Sequence, residues 1–210
     1  MSVMLLPQEI EQESFRRIDA ALPDHGFPPS QWAIVRRMIH AVADLELATL
    51  IRFHPEAIAA GVAALQARRP VFTDTRMLLA GISRRLAQFG VTAACLLAEP
   101  QAAVVAQQRG LTRSAAAVWQ AAPRLPGSIV AIGNAPTALR QLLALLQEGL
   151  EPPALIIGLP VGFVDAAEAK EALLGHPVPY ITMVGPKGGS ALAASAVNAL
   201  AILATEGLPQ

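Results

Sequence analysis

Cysteine is almost absent from this 210-residue chain, which has only Cys95. No internal disulfide can form, and that absence fits a reducing compartment, so the chain is expected in the cytoplasm. The neighbours of Cys95, from Thr92 to Leu97, make it read as filler in a buried strand, because a thiol packs as a small hydrophobe. An excess of charge is missing too. Sixteen basic residues balance sixteen acidic ones, so no overall field draws the chain to nucleic acid or to an anionic membrane. Charged residues make up 15% of the chain and hydrophobic ones 53%, yet no apolar run has the length of a membrane span. The longest, Ala191 to Ala204, is interrupted by Ser195 and Asn198 and falls short of the roughly 20 residues a span requires. The start, Met1-Ser2-Val3-Met4-Leu5-Leu6-Pro7, lacks the basic segment and cleavage site of a leader.

Several chemical signatures are also absent. The chain has no Gly-x-x-x-x-Gly-Lys-Ser/Thr phosphate loop, no Gly-x-Gly-x-x-Gly dinucleotide loop and no Gly-x-Ser-x-Gly elbow. No His, Cys, Asp and Glu cluster has the spacing of a zinc centre. These gaps leave a fold to be read first and a site second.

What is present is an alternation of helical and strand-length segments. Pro7 to Leu22 reads as an amphipathic helix, a longer helix is expected from Pro29 to about Ile51, and Ala57 to Ala67 is helical too. Beyond them, short apolar runs at Val71 to Thr73, Ala93 to Leu97, Ile129 to Ile132, Leu155 to Ile157 and Tyr180 to Val184 have strand length. Helical stretches separate them at Arg76 to Gly81, Gln101 to Gln108, Arg113 to Ala121, Thr137 to Gln147 and Ala166 to Leu174, and a last helix runs from Ser190 to Ala204. Strands that are apolar throughout and alternate with helices form largely parallel sheets covered on both faces. The expectation is therefore a single α/β domain over residues 1–210, a three-layer α/β/α fold with a mostly parallel sheet of about five strands. A mainly helical part, 1–67, packs on an α/β core at 68–205.

In such sheets ligands sit outside the carboxyl ends of the strands, and glycine marks these ends at Gly133, Gly158 and Gly185. The loop Gly185-Pro186-Lys187-Gly188-Gly189-Ser190 joins a strand to a helix, where free N–H groups and a lysine suit a carboxylate or phosphate; a plain tight turn reads equally well. Gly133-Asn134-Ala135-Pro136-Thr137 has the order of a helix cap followed by a first-turn proline. His40 lies among Met38, Ile39, Ala41 and Val42, with Asp44 four residues on. If the helix continues, that spacing sets Asp44 on the same face, where it could orient an imidazole for proton transfer. The spacing alone leaves open a satisfied core histidine. Arg76, Arg113, Arg16 and Arg17 are candidates for carboxylate recognition or for surface ion pairs.

A set of ordered segments goes further. Ile10-Glu11-Gln12-Glu13-Ser14-Phe15, Met38-Ile39-His40-Ala41, Phe72-Thr73-Asp74-Thr75-Arg76-Met77, Gly110-Leu111-Thr112-Arg113-Ser114-Ala115-Ala116, Ile132-Gly133-Asn134-Ala135-Pro136, Gly158-Leu159-Pro160-Val161-Gly162-Phe163-Val164 and Lys187-Gly188-Gly189-Ser190 together resemble the precorrin-8X methylmutase family of cobalamin biosynthesis. The resemblance spans nearly the whole chain. It implies an isomerase that binds precorrin-8X, or cobalt-precorrin-8, and moves a methyl group from C-11 to C-12. The product is hydrogenobyrinate, or cobyrinate when cobalt is present. Such a 1,5-sigmatropic shift implies no redox cofactor, methyl donor or catalytic metal. The resemblance also implies an acid–base histidine at His40, a substrate contact at Ser14, and a homodimer with the flat substrate near the subunit interface.

For the substrate's carboxylates, the chemistry of the residues nominates Arg76, Arg113 and Lys187 and the polar loop positions Thr112, Ser114, Asn134, Gly188, Gly189 and Ser190. Phe15 and Met77 are nominated for its apolar ring. The chain departs from the family pattern in four places. Ala43 and Asp165 stand where glycine is usual, Pro186 where arginine is frequent, and the 86–91 loop lacks the customary proline and asparagine. A corrinoid carrier without turnover, and a nucleotide-binding domain, are the alternatives.

Overall fold

A computed structural model describes residues 6–98 and 101–207; the opening Met1 to Leu5 lies outside the described residues. Apolar segments of three or four residues pair side by side into a six-stranded sheet: β1 (Ile51–Phe53), β2 (Val71–Thr73), β3 (Ala93–Cys95), β4 (Ile129–Ile132), β5 (Leu155–Gly158) and β6 (Tyr180–Met183). Their order is β1-β6-β5-β4-β2-β3, parallel throughout except for β1, which runs antiparallel to β6 at the edge. The helices are α1 (Pro7–Ala21), α2 (Pro29–Val42), α3 (Leu47–Leu50), α4 (Ala57–Gln66), α5 (Arg76–Gln88), α6 (Ala102–Arg109), α7 (Arg113–Ala121), α8 (Pro136–Gln147), α9 (Ala166–Leu174) and α10 (Ser190–Glu206).

Strand side chains alternate between two cores, as the period of two dictates. Ile129, Ala131, Leu155, Ile157, Ile181 and Met183 face one core, built with α2, α4, α5 and α10. Val130, Ile132, Ile156 and Tyr180 face the other, built with α7, α8 and α9. The strands of β4, β5 and β6 are buried on both faces, which is why they read as unbroken apolar runs. This is the expected three-layer α/β/α domain with a mostly parallel sheet. Cys95 is free and buried at the end of β3. No helix among the described residues is long and apolar enough to cross a membrane, and the Ala191 to Ala204 run packs inside α10.

One expected element is wrong. The helix drawn from Pro29 to Ile51 ends at Val42, because Ala43 turns into the left-handed region (φ 55°) and donates its N–H to Ile39. The chain then makes the short α3 and the unforeseen edge strand β1. Pairing with β6 overrides the helical pattern there. Two smaller differences concern length. The strand expected over Ala93 to Leu97 closes at Cys95 and coils into a 3-10 turn, Leu96–Ala98, while the helix from Arg76 extends to Gln88.

Left-handed backbone gives a physical reason to expect glycine at two of the positions where this chain departs from it. Ala43 (φ 55°) and Asp165 (φ 61°), the positions where the resemblance leads to an expectation of glycine, both carry a side chain at positive φ. An L-residue there costs about 1–2 kcal/mol, which glycine escapes. Ala43→Gly is therefore expected to raise stability by about 0.5–1 kcal/mol after the added flexibility of the unfolded chain is counted. Urea unfolding checks this, and an unchanged or lowered midpoint would reject it.

Candidate active site

The chain runs from β2 to β3 on one side of it, then returns to β4 on the other. The carboxyl ends of β2 and β4 thus form the point where winding reverses, the usual crevice for a ligand. Here the protein fills it. Asp74, directly after β2 and only 2% exposed, accepts N–H groups from Gly133 (3.0 Å) at Oδ1, and from Asn134 (2.7 Å) and Ala135 (2.8 Å) at Oδ2. Burial holds the Asp74 carboxyl above its usual range, with the three donated bonds opposing the rise. With N–H donors on both oxygens, the geometry is that of an ionised carboxylate. The start of α8, read from sequence as a helix cap, thus receives a carboxylate from within the chain.

Around this crevice the loops pack tightly. A Cβ on Gly133 would lie 2.7 Å from Cα of Ser190, and one on Gly188 would collide with the carbonyl oxygens of Leu159 and Pro160. Thr75 caps α5 by accepting the Leu78 N–H, and its hydroxyl meets that of Ser190 at 2.9 Å. Arg76 and Met77 follow on the exposed first turn of α5, with Met77 75% exposed. Asn134 is exposed on the opposite lip. Arg76, Met77, Asn134, Gly188, Gly189 and Ser190 are therefore neighbours along one rim.

Lys187 extends this rim to α2. Its Nζ lies 2.6 Å from Asp44 Oδ2 and 2.8 Å from Glu46 Oε2. These bonds hold the Asp44 carboxyl below its usual range and raise the lysine. Two carboxylates thus already engage the ammonium expected to greet substrate. Asp44 also lies beyond the end of α2, so the helical face it was to share with His40 does not exist. Its carboxylate goes to Lys187 and to the Glu46 N–H.

His40 occupies the last turn of α2 and is exposed, not buried in the core. Its ring meets Phe15 edge-on, with centroids 5.5 Å apart. Ser14, Arg17, Ile39, His40, Ala43 and Leu45 line an open, mostly apolar groove of about 470 Å³ between α1 and α2. Ser14 donates its hydroxyl to the Ile10 carbonyl within α1, and Phe15 lies beneath the guanidinium groups of Arg36 and Arg37. His40 and Ser14, nominated by resemblance, and Phe15, nominated by its apolar ring, thus lie together.

At the other end of the rim the starts of α7 and α8 meet. Thr112 caps α7 through the Ala115 N–H, and its hydroxyl lies 2.7 Å from that of Thr137. Arg113 is exposed, reaching the Leu97 carbonyl at 3.5 Å, and Ser114 is half-buried beside it. Arg140 and Asp165 form a two-pronged ion pair, at 2.6 Å for the shorter contact. That pair ties down the 159–165 loop, whose Phe163 is 99% exposed and Val164 83%. Among the described residues no three His, Cys, Asp or Glu side chains are grouped as metal ligands are.

Residue-by-residue reading passed over Asp74 and Lys170. Lys170 is fully buried in α9, and its ammonium donates to the Lys187 carbonyl. A signal was present: Ala166, Ala169, Lys170 and Leu173 share the core-facing spacing of a helix, and all four are buried.

Two outcomes follow from these buried charges. Asp74→Ala orphans three N–H groups and is expected to cost about 3–5 kcal/mol in urea unfolding; a cost below about 1 kcal/mol would mean the loop re-satisfies them. Burial pulls Lys170 down to about 8 from 10.5. Between those values the unfolded chain holds a proton that the folded chain has lost, so stability rises with pH across the window. The parent should gain on Lys170→Met over that range, and parallel stability curves would reject the burial of a charged amine.

Against known proteins, the precorrin-8X methylmutase family model matches residues 9–203. The cobalt-precorrin-8 methylmutase of Priestia megaterium is 42% identical over 203 residues, covering 96% of this chain and 90% of that protein. The precorrin-8X methylmutase of Pseudomonas aeruginosa is 44% identical over 196 residues, covering 92% and 94%. The crystal structure of precorrin-8X methylmutase from Thermus thermophilus matches with a TM-score of 0.87 at 45% identity, over 95% of this chain and 99% of that one. Motif order, near-complete coverage and shared fold agree, and the chain belongs to the precorrin-8X methylmutase family of isomerases.

Proposed function

We propose that this chain binds precorrin-8X, or its cobalt form, and moves a methyl group from C-11 to C-12 with acid–base help from His40. The observation that carries the proposal is the position of that imidazole. It stands exposed at the end of α2, against Phe15 and beside Ser14, on an apolar groove. A histidine with this access can lend and recover a proton near neutral pH. The methyl shift is intramolecular, so the reaction is balanced without a donor; what the protein supplies is binding, orientation and the proton. Phe15 and Met77 offer apolar surface to the macrocycle, while the exposed Arg76 and Arg113 suit its carboxylates. Ser14, Thr112, Ser114, Asn134 and Gly188 to Ser190 contribute polar contacts along the same rim.

The working unit in this proposal is a homodimer. The groove at His40 is open and modest in volume, whereas a bound ligand of this kind is normally enclosed over most of its surface. Met77, Phe163 and Val164 stand largely exposed and would be covered by a second copy with its substrate.

Purified protein mixed with precorrin-8X, and separately with cobalt-precorrin-8, should convert one of them, seen as a change in the absorption spectrum. His40→Ala should turn over about 10²- to 10⁴-fold more slowly while still binding the pigment. Tight binding without conversion by the parent would instead make the protein a corrinoid carrier. Arg113→Ala should weaken product affinity by about 1.5–3 kcal/mol, the worth of a charge-assisted bond; unchanged affinity removes it from the site. Light scattering should give twice the chain's 22.0 kDa, and a mass equal to one chain would defeat the dimer.

A further inference from the structure

We infer that Lys170 is a positioning residue for His40, acting across the carboxyl edge of the sheet through the backbone and then the side chain of Lys187. The inference rests on the reading of His40 given above. Lys170 projects from α9, in the layer that packs with Ile156 and Val130. His40 belongs to α2, in the layer on the opposite face. The 186–189 loop passes between them, and three hydrogen bonds tie its backbone to the 159–162 segment and to α9. Gly162 donates its N–H to the Pro186 carbonyl (3.1 Å), Gly189 donates its N–H to the Leu159 carbonyl (2.9 Å), and Lys170 donates to the Lys187 carbonyl. The Lys187 side chain then leaves in the other direction, to Asp44 and Glu46. Asp44 follows directly on Ala43, the left-handed residue that ends the helix carrying His40.

Energy argues that this arrangement has a use. A buried ammonium whose recorded partner is one carbonyl carries an unrepaid desolvation cost, and an apolar side chain of similar length would pack the same core more favourably. The neighbours of Lys170 on its helix face, Ala166, Ala169 and Leu173, are all apolar. What an apolar side chain cannot do is hold a carbonyl of the loop at a set position. The burial that penalises the ammonium also lowers it to about 8, so it donates its hydrogen bond from a water-excluded setting. Its Lys187 partner joins the two layers at their common edge, and the end of α2 inherits that position.

The test uses the whole chain and reads His40 directly. In the free protein, the His40 ring resonances are followed by NMR through a pH titration, in the parent, Lys170→Met and Lys187→Met. Both variants should shift the His40 signals and midpoint in common. The double variant should do no more than either alone, because both cut one chain of contacts. His25 and His54 serve as controls and should not move. The shift should persist in 1 M salt, where the screening length is about 3 Å and a mere change of distant charge is suppressed. In turnover, Lys170→Met should lower kcat about ten- to hundredfold, as misplacement of a reacting group does, with KM within about twofold. His40 signals that stay in place in a folded Lys170→Met would overturn the inference, as would additive effects in the double variant. If Lys170→Met does not fold, Lys187→Met interrupts the same chain from its exposed side, and an unmoved His40 there overturns it equally. Full turnover by His40→Ala would instead remove the proposed role of His40 and leave the NMR coupling to stand or fall by itself.

Discussion

At the place where the sheet reverses its winding, one carboxylate receives three backbone amides. Asp74 joins the end of β2 to the start of α8, and much of the rim is referenced to that joint. Gly133 must present no side chain, because Ser190 lies against it, and Ser190 in turn meets Thr75 at the cap of α5. A buried charge is costly unless it is hydrogen-bonded, and here backbone N–H groups offset part of the cost of burial. The crevice that open α/β sheets commonly reserve for a ligand is therefore structural in this protein. In the proposed function, ligand chemistry lies outward, on the lips of the same loops.

That placement suits a large, flat, many-armed ligand. An extended rim sets polar groups far enough apart for the arms of a macrocycle, and in the proposed dimer the second copy supplies the enclosure that a bound ligand normally has. From His40 and Ser14, the rim continues through Asp44, Lys187, Gly188 and Ser190 to Arg76 and Met77, and past Asn134 and Thr137 to Thr112 and Arg113. Each step is a hydrogen bond, a shared groove or adjacent chain. The precorrin-8X methylmutase structure from Thermus thermophilus shares the fold on which this rim is built.

The charges on the rim divide into two kinds. Asp74 and Lys170 are buried and bonded to backbone, so they set loop positions. Arg76 and Arg113 are exposed and lightly engaged, so they are free to meet an anion from solution. Lys187 lies between the kinds: its position in the sequence suggested a free cation, but its ammonium bridges two carboxylates. Arg140 and Asp165 behave similarly, the aspartate pairing from a left-handed backbone.

The sequence by itself determined the layered α/β class, since runs such as Ile129 to Ile132 must be buried on both faces. It also determined helix starts at Arg113 and Ser190 and the membership carried by ordered motifs. It did not determine the end of α2. The pattern from Pro29 to Ile51 stays helical in composition, yet the chain leaves the helix at the left-handed Ala43 and Ile51 to Phe53 pair with β6. Nor could spacing reveal that Asp44 turns from His40 to Lys187, 143 positions away in the chain. Local periodicity records which face of an element is apolar, and that information survives in a window of a dozen residues. The partner of a charge is chosen by which loops the finished sheet brings to one edge, and that choice exists only once the strands have taken their order.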